Sequence, residues 1–148
     1  MSKIKFNPPL EHIPSFKEYT ISTPELLPLI RALGCRLPLG ALDGQYWYTN
    51  LDGWLTVLVD MLFKSNLYRE DRFDCDSYAL KAMSLCAERY GLNSLALVIG
   101  NIPQGRHAFN MLYTGSEFLL WEPNAGFEYG VHPFPIGEFG YVPDEVLL

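Results

Sequence analysis

Three side chains of complementary chemistry stand in the middle of the chain: Cys75, His107 and Glu122. A thiol attacks a carbonyl carbon as the thiolate. It needs a base to hold it in that form, and the base needs a third group to orient it. Cys75 lies in "RFDCDSYALKAM", at what reads as the start of a helix. There it would face unsatisfied N–H groups and the positive end of the helix dipole, both of which favour the thiolate. The flanking aspartates work against it. Asp74, however, reads as the N-cap, with its carboxylate turned to the backbone amides. Asp76 would point about 100° away from Cys75 around the helix. The competing reading is an ordinary buried thiol, because free cysteine is among the most buried residue types. Cys86, on the same helical stripe, takes that reading.

Of the three histidines, His12 falls in a proline-containing N-terminal stretch and His132 in a proline-rich tail. His107 opens the apolar run "HAFNMLY" directly after a glycine-containing loop, where its side chain could lean over a helix N-terminus. "EFLLWEPN" follows across a tight turn at Gly115 and Ser116. His107 is seven residues before Thr114 and Glu122 six after Ser116, which sets Glu122 nearly opposite the histidine. A carboxylate there could accept the Nδ1 proton and fix the tautomer. Asn124 is the alternative orienter. The same thiolate, imidazole and carboxylate could instead hold zinc with a water. Neither a metal nor any other cofactor is required by the triad reading.

The elements that must position these groups are legible in outline. Residues 1–22 read as an irregular arm. "STPELLPLIRALG" reads as a helix, with Ser22 or Thr23 capping, Pro24 in the first turn and Gly34 as the stop. "DGWLTVLVDMLFKSNLYRE" reads as a second helix, capped by Asp52, with Leu55, Leu58, Val59 and Leu62 on one face. The third and clearest runs from Asp74 to Tyr90 and stops at Gly91. The period then changes. "SLALVIG", "HAFNMLY" and "EFLLWEP" alternate with turns at Pro103-Gln104-Gly105 and Thr114-Gly115-Ser116, an antiparallel meander. Residues 126–148 form a tail that could add an edge strand. Helices first and strands after predict an α+β class, with N-terminal helices packed on a small antiparallel sheet.

The 148 residues suit one domain, spanning 1–148, with a core over about 50–125. The net charge of −6 argues against nucleic acid, which needs a basic surface. No run approaches 18 apolar residues, so no membrane span is expected. "MSKIKFNPPLEHIPS" lacks the apolar core of a secretory signal. Three cysteines fit neither a disulfide framework nor a CxxC zinc pattern. A reducing, cytoplasmic setting is therefore expected.

A helix opening with "DCDSYA", a strand opening with "HAFN" and a next strand ending in "WEPN" resemble the transglutaminase-like branch of the papain-like superfamily. That branch includes bacterial transglutaminase-like cysteine peptidases and small proteins often encoded by bacteriophages. The resemblance spans roughly residues 50–125. It implies that Cys75 is the nucleophile, His107 the base and Glu122 the orienter, with glutamate standing where the family has aspartate. It also implies an oxyanion hole formed by the Cys75 N–H and an upstream donor, for which Trp47 is the first choice and Gln45 and Asn50 stand behind it. The implied activity is acyl transfer on a peptide, isopeptide or glutaminyl amide, with hydrolysis as the default. The alternative is a non-catalytic binding or structural module on the same scaffold. With the resemblance to phage-encoded proteins comes a virion-associated setting as the alternative to the cytoplasmic one.

Overall fold

The turn residues set the sheet. In the computed structural model, which describes residues 13–61, 63, 65–127 and 132–148, the chain runs in the following order. Strand β1 (Tyr19–Ser22) leads into helix α1 (Thr23–Ala32), and β2 (Gln45–Tyr48) into α2 (Leu51–Met61). Helix α3 (Cys75–Tyr90) precedes β3 (Ala96–Ile102), β4 (Gly105–Tyr113) and β5 (Phe118–Trp121). Strands β6 (Phe134–Pro135) and β7 (Val142–Leu147) complete the chain. The class is α+β. Five antiparallel strands lie in the order β6-β5-β4-β3-β7, and β1 and β2 form a separate antiparallel pair.

The meander β3-β4-β5 turns where the glycines stand. Gly105 (φ 129°) and Gly115 (φ 96°) occupy conformations that residues with a Cβ avoid. The tail supplies strands at both edges, β6 beside β5 and β7 beside β3. Alternation along β4 divides the core. Phe109 and Met111 pack with Val98, Leu120 and Val146 beneath Leu26 and Ile30 of α1. Leu112 packs on the other side with Leu119 and Trp121 against α2 and α3. Each fully buried leucine or isoleucine in these clusters contributes about 1.5–3 kcal/mol.

Three expectations need correction. Residues 19–22 are not irregular: Tyr19, Thr20 and Ile21 pair with Tyr48, Trp47 and Tyr46, and Ile21 is buried. The remainder of the expected arm up to residue 12, with His12, lies outside the described residues. Helix α2 is shorter than the pattern suggested. It starts at Leu51, capped by Asn50, whose Oδ1 accepts the Gly53 N–H at 3.0 Å, rather than by Asp52. Its buried face is Trp54, Val57, Leu58 and Met61, while Val59 is exposed. The Trp54 indole N–H fixes this phase by donating to the Tyr113 carbonyl at 2.8 Å. Beyond Met61 the chain leaves the helix because Phe63 pairs with the strand end at Asn124. The Ala125 N–H donates to the Phe63 carbonyl at 2.9 Å, and the Phe63 N–H to the Pro123 carbonyl at 3.4 Å.

Helix α3 matches its expectation, from an extended Asp74 at the cap to Gly91 in the left-handed region (φ 70°). Its buried stripe is Tyr78, Ala79, Ala82, Cys86 and Tyr90. Small residues let it approach the sheet closely. Ala79 meets Leu97 and Ala108, with Cys75 packed beside them. Buried Asn110 on β4 ties helix to sheet, its amide donating to the Ala79 and Ala96 carbonyls, both at 3.0 Å. Among the described residues no helix is long and apolar enough to cross a membrane.

Candidate active site

The first residue of α3 is Cys75, half-buried above Ala108. Its thiol shares a cavity wall with the His107 imidazole, and His107 and the Ala108 N–H are the groups that favour its thiolate. The thiol is held below the ordinary thiol range. The His107 hydrogen bond is the largest cause, and it prevails together with the Ala108 N–H and the imidazolium charge over burial and the nearby Asp74. Cys86 and Cys35 differ in kind: burial pushes both thiols up, and Asp144 adds to the effect at Cys35.

His107 reaches the thiol from the second residue after the β3–β4 turn. Its ring lies in an aromatic setting, 6.1 Å from Phe109, 5.6 Å from Phe127 and 5.9 Å from Tyr141 between centroids. Burial in this setting disfavours the imidazolium. Hydrogen bonds to Cys75 and Glu122, with the charges of both, more than offset it, and the pKa is pushed up to about 9. The two shifts are opposed in direction, the thiol down and the imidazole up, and each favours the charged form of its group.

Glu122 completes the set, though not through the expected atom. His107 Nε2, not Nδ1, lies 2.6 Å from Glu122 Oε2. With Nε2 committed to the carboxylate, Nδ1 is the ring nitrogen available to the thiol. The register also differs from direct opposition. Tyr113 pairs with Phe118 and Asn110 with Trp121, and the Thr114 N–H donates to the Glu117 carbonyl at 3.0 Å around the expected turn at Gly115 and Ser116. Continued past the strand end, this register sets Glu122 across from Phe109, diagonal to His107 and on its face, within reach of long side chains. Glu122 is buried, with its side chain 1% exposed. It is stabilised by two further donors: the Tyr141 hydroxyl to Oε2 at 3.0 Å and the Asn124 N–H to Oε1 at 3.3 Å. The alternative orienter, Asn124, directs its Oδ1 to the Gly126 N–H at 2.9 Å, and the carboxylate on the His107 ring is that of Glu122.

The aspartates are arranged differently from expectation. Asp74 holds the cap position, but its side chain makes no capping bond. Its carboxyl stands beside that of Asp76, and the interaction of the two acids raises the Asp74 pKa and lowers that of Asp76. Asp76 also accepts the Ser77 N–H at 2.8 Å.

Trp47 and Gln45 are not brought to this site. Both are pinned to Asn93, which accepts the Trp47 N–H at 2.7 Å and donates to the Gln45 carbonyl at 3.1 Å. Asn93 follows the C-terminal end of α3, a helix of 16 residues and hence about 24 Å long, whereas Cys75 begins it. Asn50 is occupied as the α2 cap. His132 is exposed in the tail. Among the described residues, no group of three or more histidine, cysteine or acidic side chains is placed to hold a metal ion. In particular, His107 Nε2 and Glu122 Oε2 face each other rather than a common point.

A cavity of about 350 Å³ opens over the thiol, bordered by Tyr68 and Asp74 on one side and by Gln104 and Arg106 of the β3–β4 turn on the other. Arg106 is engaged with Asn101 (3.3 Å) and Asp144 (3.2 Å). The side chains of Gln104 and Tyr68 have no hydrogen-bond partner among the described residues. The sequence reading missed Tyr141, Gln104 and Tyr68. Only the proline-glycine turn around Gln104 hinted at a residue near the histidine.

No protein-family model matches the chain, and no curated protein matches it. Among solved structures, one described as a "PSL1a-E64 complex" is similar in fold, with a TM-score of 0.55 at 19% sequence identity. The match covers 87% of this chain and 51% of the other, so this chain spans about half the length of that neighbour.

Proposed function

We propose that this chain is a thiol-dependent acyl-transfer enzyme on a papain-like, transglutaminase-like core, acting on a peptide, isopeptide or glutaminyl amide. The observation that carries the reading is the chain of contacts from Cys75 at the start of α3 to His107 and on to buried Glu122. The Cys75 thiolate attacks the amide carbon, and the carbonyl oxygen takes up the negative charge. The Cys75 N–H at the helix start is one donor to that oxyanion. Gln104, an uncommitted amide bordering the same cavity, is the second. The His107 imidazolium protonates the leaving amine as the C–N bond breaks, leaving a thioester and a neutral imidazole. That imidazole takes a proton from water, the hydroxide adds to the thioester, and the thiolate leaves. Hydrolysis, with water as the acceptor, is the default reaction.

The test compares alkylation of the three cysteines by iodoacetamide near neutral pH, followed by assay of peptide amides with wild type and Cys75→Ala. Preferential labelling of Cys75 and amide cleavage that depends on it support the reading. Labelling of Cys75 no faster than Cys35 or Cys86 rejects it in favour of a non-catalytic module. E64, the compound named with the structural neighbour, is a second ligand to try in the same assay.

A further inference from the structure

A glutamate carries one more rotatable bond than an aspartate, so an orienter of this length needs more to fix it. Of the three donors to Glu122, one is the His107 it orients and one is the backbone of Asn124, two residues on. The third, the Tyr141 hydroxyl, comes from a different element and donates to the same oxygen that holds His107. Tyr141 is fully buried, with its ring against His107, Phe109 (5.0 Å) and Phe134 (5.1 Å). Its place is set by the reversal between β6 and β7. Gly137, Phe139 and Gly140 all have positive φ there, an uncommon conformation for Phe139. The Gly137 N–H closes the turn on the Tyr141 carbonyl at 2.8 Å. Gly140 lies so close to Pro103 that a Cβ would come within 2.7 Å of the proline ring. A conformationally costly turn, wedged on the β3–β4 hairpin, thus delivers one hydroxyl to one carboxylate oxygen.

We infer that Tyr141 is a positioning residue for the thiol–imidazole pair: its hydroxyl fixes the Glu122 oxygen that holds His107. The inference rests on the acyl-transfer reading above. It makes the segment before β7 part of the catalytic apparatus. With Oε2 fixed by a second donor, Nε2 has one place to donate and Nδ1 is left for the sulfur. The titratable and charged groups around His107 are Cys75 and Asp74 at the start of α3, Glu122 after β5, Tyr141 before β7, and Tyr68 and Arg106 at the cavity edge. Of these, Glu122 is the one whose position Tyr141 controls.

The experiment uses the intact chain and Tyr141→Phe, which keeps the ring and removes the hydroxyl. Cys75 alkylation by iodoacetamide is followed against pH, and the His107 ring is titrated by NMR. The acid limb of alkylation is expected to move up and the His107 titration down, each by about half a unit or more, so that alkylation on the limb slows about threefold or more. In a Glu122→Gln background the same substitution is expected to change neither. Replacing Tyr141 by a ring-fluorinated tyrosine, a stronger donor of the same shape, covers the case in which the phenylalanine variant folds poorly. It is expected to shift both titrations relative to wild type, again only while Glu122 is present. Superimposable profiles with a fast wild-type Cys75 overturn this inference alone. A slow wild-type Cys75 overturns the parent reading and this one with it.

Discussion

His107 and Glu122 meet diagonally across two strands, Nε2 to Oε2 at 2.6 Å, with the carboxylate side chain 1% exposed. A buried carboxylate is tolerable only when hydrogen-bonded or charge-paired. Glu122→Gln keeps the shape and removes the charge. Amide cleavage is expected to fall about 100-fold or more, and the His107 titration to drop from about 9. Single-turnover kinetics with NMR of the imidazole would check both.

The opposed shifts of Cys75 and His107 fix the sign of the pH dependence. The thiol titrates below its ordinary value, so alkylation rises with pH at the acid side and levels off before Cys35 and Cys86 begin to react. His107 keeps its proton up to about pH 9, so amide cleavage, which needs that proton for the leaving amine, declines above it. A bell-shaped cleavage profile over a sigmoidal alkylation profile is the expected pair of curves, with apparent values that belong to the coupled pair. His107→Ala should move the alkylation limb upward.

Gln104→Ala separates two kinds of thiol chemistry. Alkylation by iodoacetamide develops no oxyanion and should stay within about twofold of wild type. Acyl transfer should slow by about 100- to 1,000-fold, the usual effect of losing one oxyanion donor. Equal effects on the two reactions would remove Gln104 from the oxyanion hole.

Trp47→Ala is the matching control at the far end of α3. Cys75 alkylation and amide cleavage should both be unchanged, since distant sites without shared partners act independently. Any cleavage defect that persists in fully folded protein would contradict the placement beside Asn93.

Gly100→Ala probes the sheet edge behind the site. A Cβ there would come within 2.2 Å of the Val142 carbonyl, at a break in the β3–β7 register. The substitution should cost about 1–3 kcal/mol in a urea unfolding curve.

How far the sequence could be read follows from the range of each interaction. Helix α3, its glycine stop and the meander were legible because periodicity and turn residues are local signals. Cys75, His107 and Glu122 were legible for a similar reason: a helix start and a hairpin fix where three side chains must point. What failed depended on contacts distant in sequence. The end of α2 is decided by Phe63 pairing near Asn124, and the phase of its buried face by Trp54 reaching Tyr113. The donors chosen at Trp47 and Gln45 were lost to Asn93, 46 and 48 residues away in sequence. The β4–β5 turn stands at Gly115 and Ser116 as read, but counting outward from the facing pair Thr114 and Glu117 sets Glu122 across from Phe109, diagonal to His107 rather than opposite it. Tyr141 gave no signal, because nothing in a glycine- and proline-rich tail marks one tyrosine among nine.

The site is assembled from positions 75, 107, 122 and 141, in the order in which a ribosome delivers them. On the acyl-transfer reading, Cys75 emerges first and meets its proposed base only when β4 pairs, and Glu122 gains its Tyr141 donor only when the turn before β7 has closed on Pro103. A nascent or partly unfolded chain is then expected to carry an ordinary thiol, so that the reactivity of Cys75 would report on completed assembly.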